Sequence, residues 1–479
     1  MGNPLAPSWL SVPADLNSFD ASIWPSSVHR AENGEVRLGG VAVSALAAEY
    51  GTPLYLYDTQ MIRERAAEIS RVFQDEFARV GTKAKVYYAG KAFLSSDIVH
   101  WMLEAGLNID VSTGGELALA LAAGAEGARL GLHGNNKSDA ELETAIAAEL
   151  GTIVIDYPGE IARIQRIAAL QGRTQGVRLR VRTGVHAHTH DFLATAHEDQ
   201  KFGVSLREVP ALVAEIRASE NLNFMGLHGH IGSQIFGAEG FAASLEVLLE
   251  MHTQLLEGGD IPELNIGGGF GIAYTEADSP MPIAEIAATL ADALASTAAR
   301  LGLATLPTIA LEPGRWIVGP AGVTLYRTGA LKDVELETET GQKATRRYLS
   351  VDGGMSDNAR PALYEADYQV RLAGRSSTAE PVLVRLAGKH CESGDIVVYQ
   401  DYLQSDVAAD ELVLVAATGA YCWALSSNYN FLHRPAVVGV ADGKAELMVY
   451  GETVAELLSR DAGLDRRSTA AAHSPNIAL

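Results

Sequence analysis

Eight short apolar segments recur through the first two-thirds of this chain, separated by stretches with helical periodicity. They read AKVYYAGK (84–91), LNIDVS (107–112), ARLGLHG (128–134), TIVIDY (152–157), VRLRVR (177–182), FMGLHGHIGS (224–233), ELNIGGG (263–269) and TIALEPGR (308–315). They are rich in Val, Ile and Leu without strict alternation, as in strands covered on both faces. Strands alternating with helices at this spacing form βα units, and eight of them close into a parallel barrel. Nearly every segment ends in a side chain that can do chemistry. These are Lys91, Asp110, His133, Arg180, the group His228, His230 and Ser233, the run Gly267, Gly268 and Gly269, and the pair Glu312 and Arg315; only the fourth ends plainly, at Asp156. The C-terminal strand ends of such a barrel converge on one face, which carries the active site.

An amphipathic helix is expected at about 59–80, after a strand-like TPLYLYD, and Ser138 and Asp139 look like N-cap signals for the helix that follows. Beyond about residue 321 the pattern becomes one of strands and turns, an all-β domain, until VAELLSRDAG. The final RRSTAAAHSPNIAL is small and polar, a composition that favours disorder. The expected fold class is α/β: a (β/α)8 TIM-like barrel plus a C-terminal all-β domain. The formal net charge of −22 disfavours nucleic acid and anionic membranes as partners. No apolar run reaches the roughly 20 residues of a membrane span, and the N-terminus lacks the pattern of a signal peptide. Two cysteines, Cys391 and Cys422, make no disulfide framework. A cytoplasmic location is expected.

Several residues carry competing readings. Lys91 follows an apolar strand and precedes Ala92 and Phe93; a lysine in such company can be a nucleophile rather than a solvated surface group. The GGGFG run permits close backbone approach to an anion, or is only a flexible turn. Glu312, in LEPGR, is either a salt-bridged strand-end carboxylate or a partner for a pyridine nitrogen. Arg315 offers a planar fork to carboxylate or phosphate. His228 and His230 alternate on one strand face and could satisfy a core, bind a metal or stack on a ring. HAHTHD (186–191) also alternates its histidines, but a functional metal there is disfavoured because the segment is polar and lies in a long loop. Cys391 and Glu392 lie in a turn, GKHCESGD, where His390 could activate the thiol.

Nine segments, in this order, resemble the fold-type III, pyridoxal-phosphate-dependent decarboxylases: YYAGKAF, IDVSTGGEL, KFGV, GLHGHIGSQ, NIGGGFG, LEPGR, VDGGMSDNARPALY, GKHCESGD and GAYCWALSSNYN. The resemblance spans about residues 40–460. It implies pyridoxal 5'-phosphate as cofactor, carried covalently by Lys91 and stacked under His230. Glu312 would meet the pyridine nitrogen. Ser233, Gly268, Gly269, the Glu312–Pro313–Gly314–Arg315 turn and Tyr421 would cradle the phosphate, with Asp110 and Arg180 also at the cofactor. Arg315, Arg360, Tyr364 and Tyr421 would hold the substrate, with Glu392 on its amino group. Cys391 would return a proton after carbon dioxide leaves. The implied reaction is decarboxylation of meso-diaminopimelate to L-lysine, the last step of lysine biosynthesis. The implied assembly is a homodimer with shared active sites, and no metal is implied. By the same analogy residues 1–58 join the β domain of residues 321–479, leaving 59–320 as the barrel. The N-terminal segment and the tail look longer than the family needs, and neither is expected to touch a proposed role.

The residues leave rivals standing. A sister decarboxylase acting on ornithine, D-lysine or a polyamine precursor would share every cofactor residue, and only NARPALY separates it, since a substrate without a second carboxylate has no need of Arg360. An amino-acid racemase is disfavoured by the Cys391–Glu392 turn, and a non-catalytic cofactor-binding protein by the β domain. A metal-dependent barrel hydrolase would lack a visible absorption band.

Overall fold

The computed structural model describes residues 3–185 and 201–464. The histidine-rich run 186–191 and the small polar tail lie outside them. Eight parallel strands form the closed barrel: β1 (Ala84–Ala89), β2 (Asn108–Val111), β3 (Leu130–Leu132), β4 (Thr152–Ile155), β5 (Gln175–Arg182), β6 (Leu222–His228), β7 (Glu263–Asn265) and β8 (Thr308–Leu311). Neighbours pair in chain order, and β8 returns to β1 with Ile309 opposite Ala84. All eight segments seen in the sequence are therefore strands of one barrel.

Helices start where side-chain oxygens replace missing intrahelical acceptors. Asp58 accepts from the Met61 N–H and opens the helix Thr59–Arg79. Ser138 caps Asp139–Ala147 in a reciprocal box with Glu141, so Asp139 is the first helical residue and not the cap. Seven helices follow the strands β1 to β7. Thr59–Arg79 precedes β1 and packs beside Ile283–Leu301, filling the place of the eighth.

The second sheet has nine strands and is mainly antiparallel. Its long strand Gly322–Glu337 leaves the barrel through the short helix Arg315–Val318. Leu54–Asp58, just before the first barrel helix, runs antiparallel to Gly322–Leu325 and parallel to Val437–Val440. The chain thus enters and leaves the barrel through adjacent strands of one sheet. A continuous apolar core runs through both layers, from Phe73 and Phe77 of the barrel to Tyr55, Tyr326 and Val413 of the sheet.

Candidate active site

A cavity of about 310 Å³ opens at the C-terminal ends of the barrel strands. Lys91, Asp110, His133, Arg180, His228, His230, Ser233, Gly269, Glu312, Gly314, Arg315 and Tyr421 line it. Lys91 sits on the single 3-10 turn that ends β1. That turn is clamped from the other domain: Phe93 stacks on Tyr57 with ring centres 4.8 Å apart and meets Trp423 edge-on. The Tyr421 N–H donates to the Ala92 carbonyl at 2.8 Å. Tyr421 holds φ at +62°, a conformation that costs a bulky residue energy and persists only where its surroundings impose it. The clamp brings its ring to the same cavity as Lys91.

The same cavity holds a buried charge cluster. Glu312 accepts from Asn265 Nδ2 at 2.8 Å, with His228 Nε2 at 2.9 Å and His133 Nε2 at 3.5 Å. His133 is also 3.3 Å from Asp110. Burial pushes the Glu312 carboxyl up, but the imidazoles of His228 and His133 more than offset it and hold the group well below the usual carboxylate range. Asp110 goes the other way, raised by burial against the pull of His133, and among the described residues neither of its oxygens makes a well-formed hydrogen bond. His230 is held well below the usual imidazole range by burial and then by the charge of Lys91, so it is neutral and suited to stacking. Arg180 lies over the Phe202 ring at 4.3 Å, with Nε 3.9 Å from Asp156. The fourth strand end is thus less plain than the sequence suggests, since Asp156 also accepts from the Gly203 N–H.

The glycine run packs three strand-end loops together. A Cβ on Gly268 would overlap the Glu312 carbonyl, and one on Gly269 the Gly232 carbonyl. The Gly268 N–H donates to His230 Nδ1 at 3.2 Å, which fixes the imidazole. Gly268 and Pro313 stand behind the wall, the latter accepting from the Ala89 N–H at 2.9 Å. Arg315 donates from Nη2 to Ser233 Oγ at 2.8 Å and from Nη1 to the Tyr274 hydroxyl, and its guanidinium lies 4.7 Å from the Tyr421 ring centre.

Lys91, Ser233, Arg315 and Tyr421 are shared with an outer chamber of about 620 Å³. Arg360 and Tyr364 line that chamber. Arg360 begins the short helix Arg360–Tyr364, donates to the Tyr368 hydroxyl and lies 4.4 Å from the Tyr274 ring centre. No carboxylate in the chain pairs with it among the described residues. Cys391 and Glu392 are exposed and line neither cavity; the Cys391 N–H donates to Asn430 Oδ1 at 3.1 Å. Residues the sequence did not single out complete the site: Asn265 behind Glu312, Tyr274 and Tyr368 around the arginines, and Trp9 in the outer wall. Only Asn265 left a signal, since it opens the NIGGGFG segment.

His133, His228 and Glu312 place three ligand atoms within 4.8 Å of one another, a spacing that could hold a metal. The same carboxylate, with Lys91 in the same cavity and the Asp110 carboxylate on its wall, equally fits a pyridine ring whose nitrogen is protonated. The comparisons decide between these. The pyridoxal-binding domain of the pyridoxal-dependent decarboxylases matches residues 61–319. The chain is 47% identical to a diaminopimelate decarboxylase of Mycobacterium tuberculosis, over 93% of this chain and 99% of that one. It is 45% identical to one of Corynebacterium efficiens, over 93% and 95%. The crystal structure of diaminopimelate decarboxylase from M. jannaschii in complex with L-lysine superposes with a TM-score of 0.80 at 28% identity, covering 91% of this chain and 98% of that one.

Proposed function

The chain belongs to the pyridoxal-dependent decarboxylases, and on that premise we propose that it converts meso-diaminopimelate to L-lysine and carbon dioxide, as the last step of lysine biosynthesis. Pyridoxal 5'-phosphate, when bound, supplies the electron sink that makes loss of an α-carboxylate feasible. The observation that carries the substrate is Arg360, a buried guanidinium with no carboxylate partner among the described residues, in a chamber that opens onto Lys91. A substrate with a second carboxylate supplies the missing partner.

In this reading Lys91 would carry the cofactor, His230 would lie against its ring, and Glu312 would keep the pyridine nitrogen protonated. Asp110 and Arg180 complete the ring's surroundings. Ser233, Gly268, Gly269, Pro313, Gly314, Arg315 and Tyr421 hold the phosphate by hydrogen bonds and by backbone placement. Arg360, Arg315 and Tyr364 would hold the far end of the substrate. Cys391 returns a proton to the α-carbon, and Glu392 takes the distal ammonium.

Cys391 and Glu392 line neither cavity of their own chain, which supports a homodimer in which they serve the partner's site. Exposed Tyr429 stacks on His390 beside the thiol, Phe431 two residues on is also exposed, and Leu363, Tyr364 and Leu425 add further exposed apolar surface on the same unit. An apolar patch of this kind favours burial against a second copy. The domain division that fits is a barrel over residues 59–320 and a β-rich unit of 1–58 with 321–479. A cytoplasmic location agrees with two free cysteines and the acidic surface. No helix among the described residues is long and apolar enough to cross a membrane.

The test is carbon dioxide release from meso-diaminopimelate, ornithine and D-lysine side by side, with borohydride fixation of the cofactor. Release from diaminopimelate alone, with label on Lys91, is expected. Equal turnover of ornithine would favour the sister decarboxylases, and label on another lysine would overturn the cofactor assignment.

A further inference from the structure

The N-terminal segment, expected to touch no role, reaches the outer chamber. Residues 3–28 contain no helix or strand, yet they are tied down along the β domain. Asn3 donates from its backbone to the Tyr402 hydroxyl at 3.0 Å and from Nδ2 to the Thr345 carbonyl at 2.7 Å. Leu5, Ala6 and Leu10 pack on a small apolar cluster of Leu16, Leu383 and Tyr402. Farther along, Asn17 donates to the Ser377 carbonyl at 2.9 Å, and Trp24 is fully buried with its indole N–H on Gln369 at 2.9 Å. Between these anchors the strap crosses to the barrel. Ser11 Oγ meets Glu276 Oε2 at 3.3 Å, on the loop that follows the glycine run. Trp9, half-buried, lines the chamber that also holds Tyr274, Asp278, Arg360 and Tyr364.

We propose that Trp9 is a specificity-determining residue that forms the outer wall of the chamber and shields the Arg360-bound end of the substrate from water. This rests on the reading that the chamber receives the distal carboxylate. The anchors show why the indole is placed there reproducibly. They hold the strap by apolar contact and hydrogen bonds on both sides of Trp9, so the chain pays the ordering cost away from the chamber. An indole covers a large apolar area at the cost of only two side-chain torsions, and an ion pair strengthens when water is kept from it. Trp9 lines this chamber and is not among the residues shared with the Lys91 cavity. It therefore acts on binding in the ground and transition states alike, and its loss should raise KM and leave kcat nearly intact.

The experiment uses Trp9→Ala and Trp9→Phe in the full-length, cofactor-loaded enzyme. For Trp9→Ala, KM for meso-diaminopimelate and the inhibition constant of L-lysine should each rise ~10-fold, with kcat within about 2-fold and the cofactor absorption band unchanged. Trp9→Phe should recover most of the loss. L-Lysine should alter the tryptophan emission of the wild type, and that change should be clearly smaller in Trp9→Phe, a readout that does not need the alanine variant to fold; Trp423, packed on Phe93, accounts for any remainder. Unchanged KM and lysine inhibition in Trp9→Ala, or an emission change as large in Trp9→Phe as in the wild type, would overturn the assignment of Trp9. A wild type that releases no carbon dioxide from meso-diaminopimelate would instead overturn the substrate reading, so the two failures are distinct.

Discussion

In the proposed reading, substrate choice is concentrated at Arg360. Its planar fork is held by the Tyr368 hydroxyl and the faces of Tyr274 and Tyr368, which leaves one edge for a ligand carboxylate. A lysine would bring the charge without the fork. Arg360→Lys should lower kcat/KM for meso-diaminopimelate by ~10²-fold or more, as when a site built for a buried polar group loses its match, while cofactor absorption is retained. An indifferent variant would move the distal carboxylate elsewhere. Nearby Asp357 is buried without a cation. Burial lifts its carboxyl to about 7, against bonds from the Tyr326 hydroxyl and the Gly354 N–H and with added repulsion from Asp395 and Asp352. A carboxyl raised above its unfolded value of ~3.9 stabilises the fold while protonated. That contribution is complete below the unfolded value and is lost as pH rises through about 7. The advantage of Asp357→Asn over the wild type in thermal midpoint should therefore grow from pH ~5 to pH ~8. A gap that does not change with pH would remove Asp357 from the account.

The glycine run after β7 and the turn at Tyr421 act as elements more than as single residues. Glycine at 268 lets the β7 and β8 loops touch and lets a backbone N–H fix His230. Gly268→Ala forces a methyl against the Glu312 carbonyl, and overpacking of this kind costs about 1–3 kcal/mol. The variant should melt lower and release its cofactor faster on dialysis. Gly115→Ala is the control, because there an added Cβ meets only the Thr113 hydroxyl at an ordinary 3.8 Å. Equal melting of the two variants would mean that the β8 loop yields and that the glycine is a matter of flexibility.

For the whole molecule, the open question is which chain supplies the acid. Cys391 and Glu392 stand on the surface beside exposed Tyr429 and Phe431, outside both cavities of their own chain. In a two-fold dimer each site would take its barrel from one protomer and its thiol from the other. Mixing inactive Lys91→Ala and Cys391→Ala proteins under subunit exchange should restore roughly a quarter of the sites, from random pairing of equal amounts. Failure to restore activity, with exchange confirmed by mass, would require the Cys391 loop to reach its own barrel.

The sequence by itself determined the barrel, because eight apolar segments at βα spacing leave few other ways to bury both faces of every strand. It also determined which residue types stand at the strand ends, since the end of a strand is a local property. Position along the barrel axis was beyond it. In VRLRVR, Arg178 and Arg180 share one strand face, yet Arg178 is buried against Glu263 inside the barrel and Arg180 reaches the cavity; only the stagger of neighbouring strands separates them. The same holds for contacts made across the chain. Trp9 in the chamber of Arg360, Tyr421 on Ala92 and Asn430 on Cys391 join segments whose separation in sequence carries no mark of their meeting. The Tyr421 contact depends on how the second sheet docks against the barrel face. That docking is set by burial summed over both layers, and tertiary packing alone decides it.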